Sequence, residues 1–148
     1  MIAKLNNEDI AVANDIRTVF QASYAVEAEL LNVSDFPPLK RTLDGYRSCG
    51  NTFYGYTEDQ ELAGVIEMHH KGGITYIDSL VVHPRFFRRG VARKLLSYMI
   101  DKYDSARYIV ETGAENTPAL KLYKACGFKQ VEEWDMDIGI RKVRLERG

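Results

Sequence analysis

At 148 residues the chain is long enough for one domain that buries roughly two thirds of its unfolded surface, so no disulfide or metal staple is needed to build a core. Its 20 basic and 21 acidic residues leave a net charge of −1, and no global charge excess points to nucleic acid or an anionic membrane as partner. Cys49 and Cys126 fit neither a disulfide framework nor a CxxC site. Together with a start interrupted by Lys4, Glu8 and Asp9 and no window near the ~18 apolar residues of a membrane span, they lead us to expect a soluble, cytoplasmic protein with reduced thiols.

Ile2 to Leu5 reads as a short strand, with Asn6 or Asn7 as the cap and Glu8 and Asp9 as the acidic first turn of a helix. Ile10, Ala13, Ile16, Phe20 and Tyr24 form that helix's apolar stripe, which runs on through Ala28 and Leu31 with an expected break near Ala22 and Ser23. Pro37 and Pro38 start a second, short helix using Leu39, Leu43 and Tyr46, ended by Gly50. Asn51 to Thr57 and Leu62 to His69 are strands joined by a polar turn, and Lys71-Gly72-Gly73 turns the second into a strand beginning at Ile74. A helix follows from Val91, with Val91, Ala92, Leu95, Leu96, Met99 and Ile100 at helical spacing. Then come a strand over Arg107 to Thr112, a helix over Pro118 to Cys126 closed by Gly127, and two strands, Phe128 to Trp134 and Ile138 to Leu145, with a turn near Asp135 to Asp137. The strand, helix, strand crossover in the middle requires a parallel pair, so this is an α/β order with a mixed sheet. There is no internal repeat, low-complexity tract or linker, so residues 1–148 read as one domain.

Two stretches carry chemistry. Across Arg85 to Gly90 strand turns into helix, placing the free N–H groups of a helix start beside a residue without Cβ and among Arg85, Arg88, Arg89, Arg93 and Lys94. An anion suits that place, although a glycine turn alone also serves as an ordinary tight turn. The second stretch is Asn116-Thr117-Pro118-Ala119-Leu120-Lys121-Leu122-Tyr123-Lys124-Ala125-Cys126-Gly127-Phe128, in which Asn116 marks a loop-to-helix boundary and Ala119 and Tyr123 share a helix face.

With these two segments the chain resembles the GNAT superfamily of N-acetyltransferases, over about Thr52 to Trp134 in motif and over the first fifty residues in element order. The family's phosphate-loop pattern is Gln or Arg, two residues, Gly, one residue, Gly or Ala; here it reads Phe87-Arg88-Arg89-Gly90-Val91-Ala92, with Phe87 departing from it. The downstream pattern, from Asn116 through Ala119 and Tyr123 to Gly127-Phe128, is matched in full. The resemblance implies the GNAT fold, a mixed and mostly antiparallel sheet of about seven strands with about four helices. It also implies acetyl-CoA as cosubstrate and an amine as acceptor, with no metal; a homodimer is compatible with both.

On that resemblance, the strand of Leu80, Val81 and Val82 splays from the strand of Ile109 to Thr112, and the pantetheine arm pairs with its free amides. The pyrophosphate meets the amides of Arg88, Arg89, Gly90, Val91, Ala92 and Arg93, Asn116 adjoins the cofactor, and a backbone N–H near Leu80 or Val81 polarises the thioester. Tyr123 stands where the family places its general acid, the competing role being that of an amphipathic core tyrosine. A base must also take the acceptor's proton. Asp78 and Glu67, acids in apolar strands beside the expected cleft, are its candidates, Glu111 a third, and each is otherwise a solvated strand-face acid or a salt-bridge partner. His69 and His70 point to opposite faces and make no metal set. Tyr24, Phe36, Tyr46, Phe53 and Tyr54 are candidates for an acceptor pocket or for core. The competing functions are a non-catalytic acyl-CoA binding module and a generic phosphate-binding domain, the latter opposed by the absence of a P-loop lysine and of GxGxxG.

Overall fold

The computed structural model describes residues 1–136 and 139–148. In chain order these form β1 Ile2–Leu5, α1 Ile10–Leu30, a 3₁₀ turn Pro37–Lys40, α2 Leu43–Arg47, β2 Thr52–Glu58, β3 Glu61–Lys71, β4 Ile74–Val82, a second 3₁₀ turn Pro84–Phe86, α3 Val91–Lys102, β5 Arg107–Gly113, α4 Thr117–Ala125, β6 Lys129–Asp135 and β7 Arg141–Arg147. The strands make one sheet in the order β1-β2-β3-β4-β5-β7-β6, antiparallel throughout except for the β4 and β5 pair. This is the mixed α/β architecture that the element order requires.

Each helix forms where its apolar stripe has a sheet face to cover. On one face α1 buries Ile16, Val19 and Phe20 against Phe53, Val65 and Val81. On the other, Leu95, Leu96 and Met99 of α3 and Tyr123 of α4 meet Ile66, Met68, Ile77, Val110 and Leu145. A smaller cluster of Ala28, Phe36 and Ile140 closes the C-terminal end of α1. Among the described residues no helix is long and apolar enough to cross a membrane.

The structure departs from the sequence expectations at three places. Helix α1 runs unbroken through Ala22 and Ser23, because neither residue breaks a helix and the buried stripe continues from Phe20 to Ala28. Its cap is Asp9, whose carboxylate accepts from Val12 N, while Asn7 instead donates to the Tyr46 carbonyl. The proline segment is two pieces, since Arg41 is extended and Thr42 caps α2 anew by accepting from Gly45 N. The expected turn near Asp135 to Asp137 and the expected strand start at Ile138 fall in part on residues 137 and 138, outside the described residues.

Two backbone irregularities position the site. Opposite Glu67 and Met68 of β3 stand Ser79 and Ile77 of β4, so Asp78 is an extra, bulged residue. Parallel pairing of β4 with β5 ends at Ile77 and Val110, and from Asp78 onward β4 has no partner on that side among the described residues. The start of α3 sits close above β3 because Gly64 has no side chain: a Cβ there would stand 2.6 Å from Val91 Cγ1.

Candidate active site

Where β4 and β5 part, a cavity of about 820 Å³ opens, reaching from α1 and the proline segment to the start of α3 and to α4. Amides alternate along an antiparallel strand. His83 N donates to Ala63 O of β3, so Val81 also turns its amide toward β3, and the amides of Leu80 and Val82 face the gap. Val82 N reaches Ser23 Oγ at 3.4 Å. Of the two residues named for the thioester donor, Leu80 therefore has the amide on the open side.

At one end of the cavity the loop before α3 carries Arg88 at φ 64° and Gly90 at φ 73°, a left-handed pair that turns the chain tightly into the helix. Gly90 is the N-cap and offers no side chain to the free N–H groups, and no atom lies within 4 Å of the place a Cβ would take. The basic residues divide. Arg85 and Arg89 are tied to Glu61 and Glu58 in the β2–β3 hairpin, at 3.0 and 3.1 Å. Arg89 thus points away from the cavity and lies over the Phe86 ring. Arg88 and Arg93 line the cavity, and neither forms an ion pair among the described residues. Phe87, the departure from the family pattern, is a 41% exposed ring at the cavity mouth.

Across the cavity, α4 presents Tyr123, packed edge-on against Phe128 with ring centroids 5.6 Å apart. Burial, with Tyr24 and Glu27 nearby, pushes its phenol well above the ordinary range, so it holds its proton firmly. The hydroxyl has no hydrogen-bond partner among the described residues. Asn116 caps α4 by accepting from Ala119 N, and its amide donates to Glu27 Oε1 at 2.5 Å and Thr112 Oγ1 at 3.4 Å. Glu27 was missed by the sequence reading. Burial raises its carboxyl above the usual range; the available signal was an acid set among stripe positions Tyr24, Ala28 and Leu31 of an otherwise amphipathic helix.

The three acids meet different fates. Asp78 lines the cavity and accepts from His69 Nδ1 at 2.8 and 3.0 Å on its two oxygens, and burial raises its carboxyl above the usual range. Glu67 is 1% exposed and does not line the cavity. Both of its oxygens accept from the Arg41 guanidinium, at 2.8 and 2.9 Å, and Asn51 Nδ2 adds a bond at 2.8 Å. Burial pushes Glu67 upward, but these donors outweigh it and hold the carboxyl below its ordinary range. Glu111 lines the cavity and is engaged by Arg144 at 2.8 Å.

Of the aromatic candidates, Tyr24 and Phe36 line the cavity, whereas Tyr46, Phe53 and Tyr54 are core. His69 and His70 do face opposite ways, His70 pairing with Thr75 Oγ1 at 2.9 Å. Among the described residues no group of three or more His, Cys, Asp or Glu gathers as a metal set would require.

Sequence and structural relatives agree with this architecture. A family model described as "Acetyltransferase (GNAT) family" matches residues 13–128. The protein YqkA of Bacillus subtilis (strain 168), described as a UPF0157 protein, is 34% identical over 133 residues, which are 89% of this chain; the chain spans 39% of that relative's length. The ribosomal-protein-S18-alanine N-acetyltransferase of Escherichia coli superposes with a TM-score of 0.80 at 18% identity, covering 99% of this chain and 92% of the other. The PaiA N-acetyltransferase of Thermoplasma acidophilum, solved in complex with coenzyme A, superposes with a TM-score of 0.74 at 18% identity over 99% and 97% of the two chains. With the splayed strands, the glycine-capped helix start and a family match over most of its length, this chain belongs to the acetyltransferase (GNAT) family.

Proposed function

We propose that the chain is an acetyl-CoA-dependent N-acetyltransferase acting on a primary amine of a small molecule, an amino acid derivative or a peptide. One observation carries this: the unpaired stretch of β4 runs from Asp78 to the start of α3 with Tyr123 across the gap, so a base, an acyl-binding strand, an acid and an anion cradle share one cavity. The amide of Val82, released from Ser23 Oγ, holds the pantetheine arm, that of Leu80 meets the thioester oxygen, and the α3 start with Arg88 and Arg93 receives the pyrophosphate. The uncapped N–H groups and the space beside Gly90 fit this group.

A lysine-like amine has a pKa of ~10.4, so near pH 7 fewer than about one molecule in a thousand is neutral and nucleophilic. Asp78 takes one proton from the ammonium group and passes it to water. Tyr123 gives its proton to the departing sulfur and is restored by the second proton on nitrogen. One proton per turnover therefore reaches solvent and one ends on the thiol. Glu67 serves this site by holding Arg41, which lines the cavity, rather than by taking the proton.

The test is free-thiol release from acetyl-CoA with L-lysine, spermidine and an alanine-initiated tetrapeptide. Binding of acetyl-CoA with no thiol release from any amine would point to a non-catalytic binding module instead. Asp78→Asn is expected to lower kcat at pH 7 by about a hundredfold, with the loss shrinking at high pH where the amine deprotonates unaided. A full rate at neutral pH would remove Asp78 as base. Gly90→Val forces a Cβ into a left-handed backbone and into the cradle; it is expected to weaken CoA at least about tenfold by titration calorimetry, with circular dichroism unchanged. Unchanged affinity would place the pyrophosphate elsewhere.

A further inference from the structure

Given Asp78 as the base proposed above, we infer that His69 is its positioning residue: the imidazole grips the carboxylate from outside the cavity, fixes its orientation and sets the pH below which it stops accepting the amine's proton. Asp78 needs such support. As a bulged residue it stands outside the regular ladder, and β5 has left its side, so no strand neighbour orients it. His69 supplies what the ladder does not, with Nδ1 within 2.8 and 3.0 Å of the two carboxylate oxygens. The ring is itself held, lying parallel to the Tyr76 ring at 4.8 Å between centroids and 5° between planes.

The division of sides is what makes the pair useful. Asp78 lines the cavity; His69 does not, and its side chain is 42% exposed. A donor to a carboxylate must be the Nδ1–H tautomer, which leaves Nε2 to exchange protons with bulk water. The other charges that act on Asp78 are paired with each other. Glu67 and Arg41 neutralise each other, Glu111 is engaged by Arg144, and His70 lies on the opposite face of β3 against Thr75. By donating to the carboxylate, His69 offsets part of the burial that raises Asp78, so Asp78 stays ionised and able to accept a proton to lower pH than it would alone. Through the cycle His69 keeps its Nδ1 proton, and the proton taken by Asp78 leaves to water. No further reactant is needed.

The experiment compares wild type, His69→Ala, His69→Asn and Asp78→Asn with the panel amine that turns over fastest, across about pH 5 to 8. In His69→Ala, kcat/KM for the amine is expected to fall about tenfold or more with KM for acetyl-CoA unchanged, and the acid limb of the profile should move to higher pH, because nothing then offsets the burial that raises Asp78. His69→Asn, which keeps an N–H donor, should recover part of the rate and return the acid limb part of the way, and added imidazole should raise the rate of His69→Ala. Separately, and with no amine present, ¹⁵N-histidine NMR should show His69 as the Nδ1–H tautomer in wild type, a preference lost in Asp78→Asn. If Asp78→Asn is impaired while His69→Ala keeps the wild-type rate and acid limb, the positioning role fails and Asp78 stands. A full rate in Asp78→Asn removes the base and the positioning role together. A slow His69→Ala with a lowered melting temperature, an unshifted acid limb and no response to imidazole would make His69 merely structural. The same His69 tautomer populations in wild type and Asp78→Asn would show that the pair does not exist in solution.

Discussion

Replacing Tyr123 with Phe is expected to lower kcat by about 10²–10⁴, the worth of a placed general acid, while CoA affinity stays close to that of the parent. The substitution keeps the ring that packs on Phe128 and removes only the hydroxyl. Affinity is spared because the contacts proposed for the cofactor are mainly backbone amides of β4 and of the α3 start. Stability is spared for a reason that only the structure supplies. A buried hydroxyl that satisfied another group would cost roughly 1 kcal/mol on removal, but this one has no partner among the described residues, so its loss leaves no polar atom stranded. The raised phenol stays protonated throughout the neutral range, as an acid waiting for a thiolate must, so kcat should show no loss of activity from Tyr123 ionisation up to pH 9. Stopped-flow or steady-state measurement of kcat with melting temperature decides the assignment: near-normal turnover would reduce Tyr123 to a packing residue.

Glu67→Gln is expected to act on stability rather than on proton transfer, lowering it by roughly 2–4 kcal/mol, the range for breaking a buried pair discounted for the partial exposure of Arg41. For a chain of this length that corresponds to a melting temperature lower by roughly 5–15 °C. The size follows from what is left behind. Arg41 lies over the Tyr46 ring at 4.3 Å, with side-chain exposure of 23%, and without the carboxylate its charge is desolvated and unpaired. The pH dependence has a definite sign. Because the folded state holds Glu67 below its ordinary value, its contribution is fully present above about pH 4.3, the unfolded carboxyl value, and is lost as pH falls through the lower folded value. Glu67→Gln should therefore be destabilised at neutral pH and converge toward wild type in acid. Thermal melts between pH 2 and 7 check this; equal stability at neutral pH would mean that Arg41 finds water or another partner. A kcat profile that keeps its acid limb in Glu67→Gln would separate this holding role from that of a base.

Much of the candidate site could be named from sequence because its signals are local. The glycine at a helix start, the basic residues around it, and Asn116, Ala119, Tyr123 and Gly127-Phe128 at helical spacing all lie within a few turns of one another, where hydrogen bonding and rotamer direction repeat in any protein. What these signals could not show is which way a side chain turns. Arg89 sits in the loop motif yet reaches across to Glu58, 31 residues earlier, and Val81 lies on the open strand with its amide on the closed side. Glu27 escaped notice because its meaning rests on Asn116, 89 residues later in the chain.

By itself the sequence determined the element order, the parallel crossover and the motif faces of α3 and α4, because apolar periodicity, capping and turn chemistry are properties of short segments. It also narrowed the base to acids in apolar strands. Only the tertiary structure separated their surroundings. Asp78 is turned into the cavity by a bulge that exists only in the pairing of β3 with β4, and it is gripped by His69 across that pair. Glu67, two residues from His69 in the same strand, is taken by an arginine 26 residues away. Two carboxylates with similar local surroundings thus have opposite pKa shifts, because desolvation acts on both but only Glu67 gains a guanidinium and an amide donor, and those partners arrive by folding from distant parts of the chain.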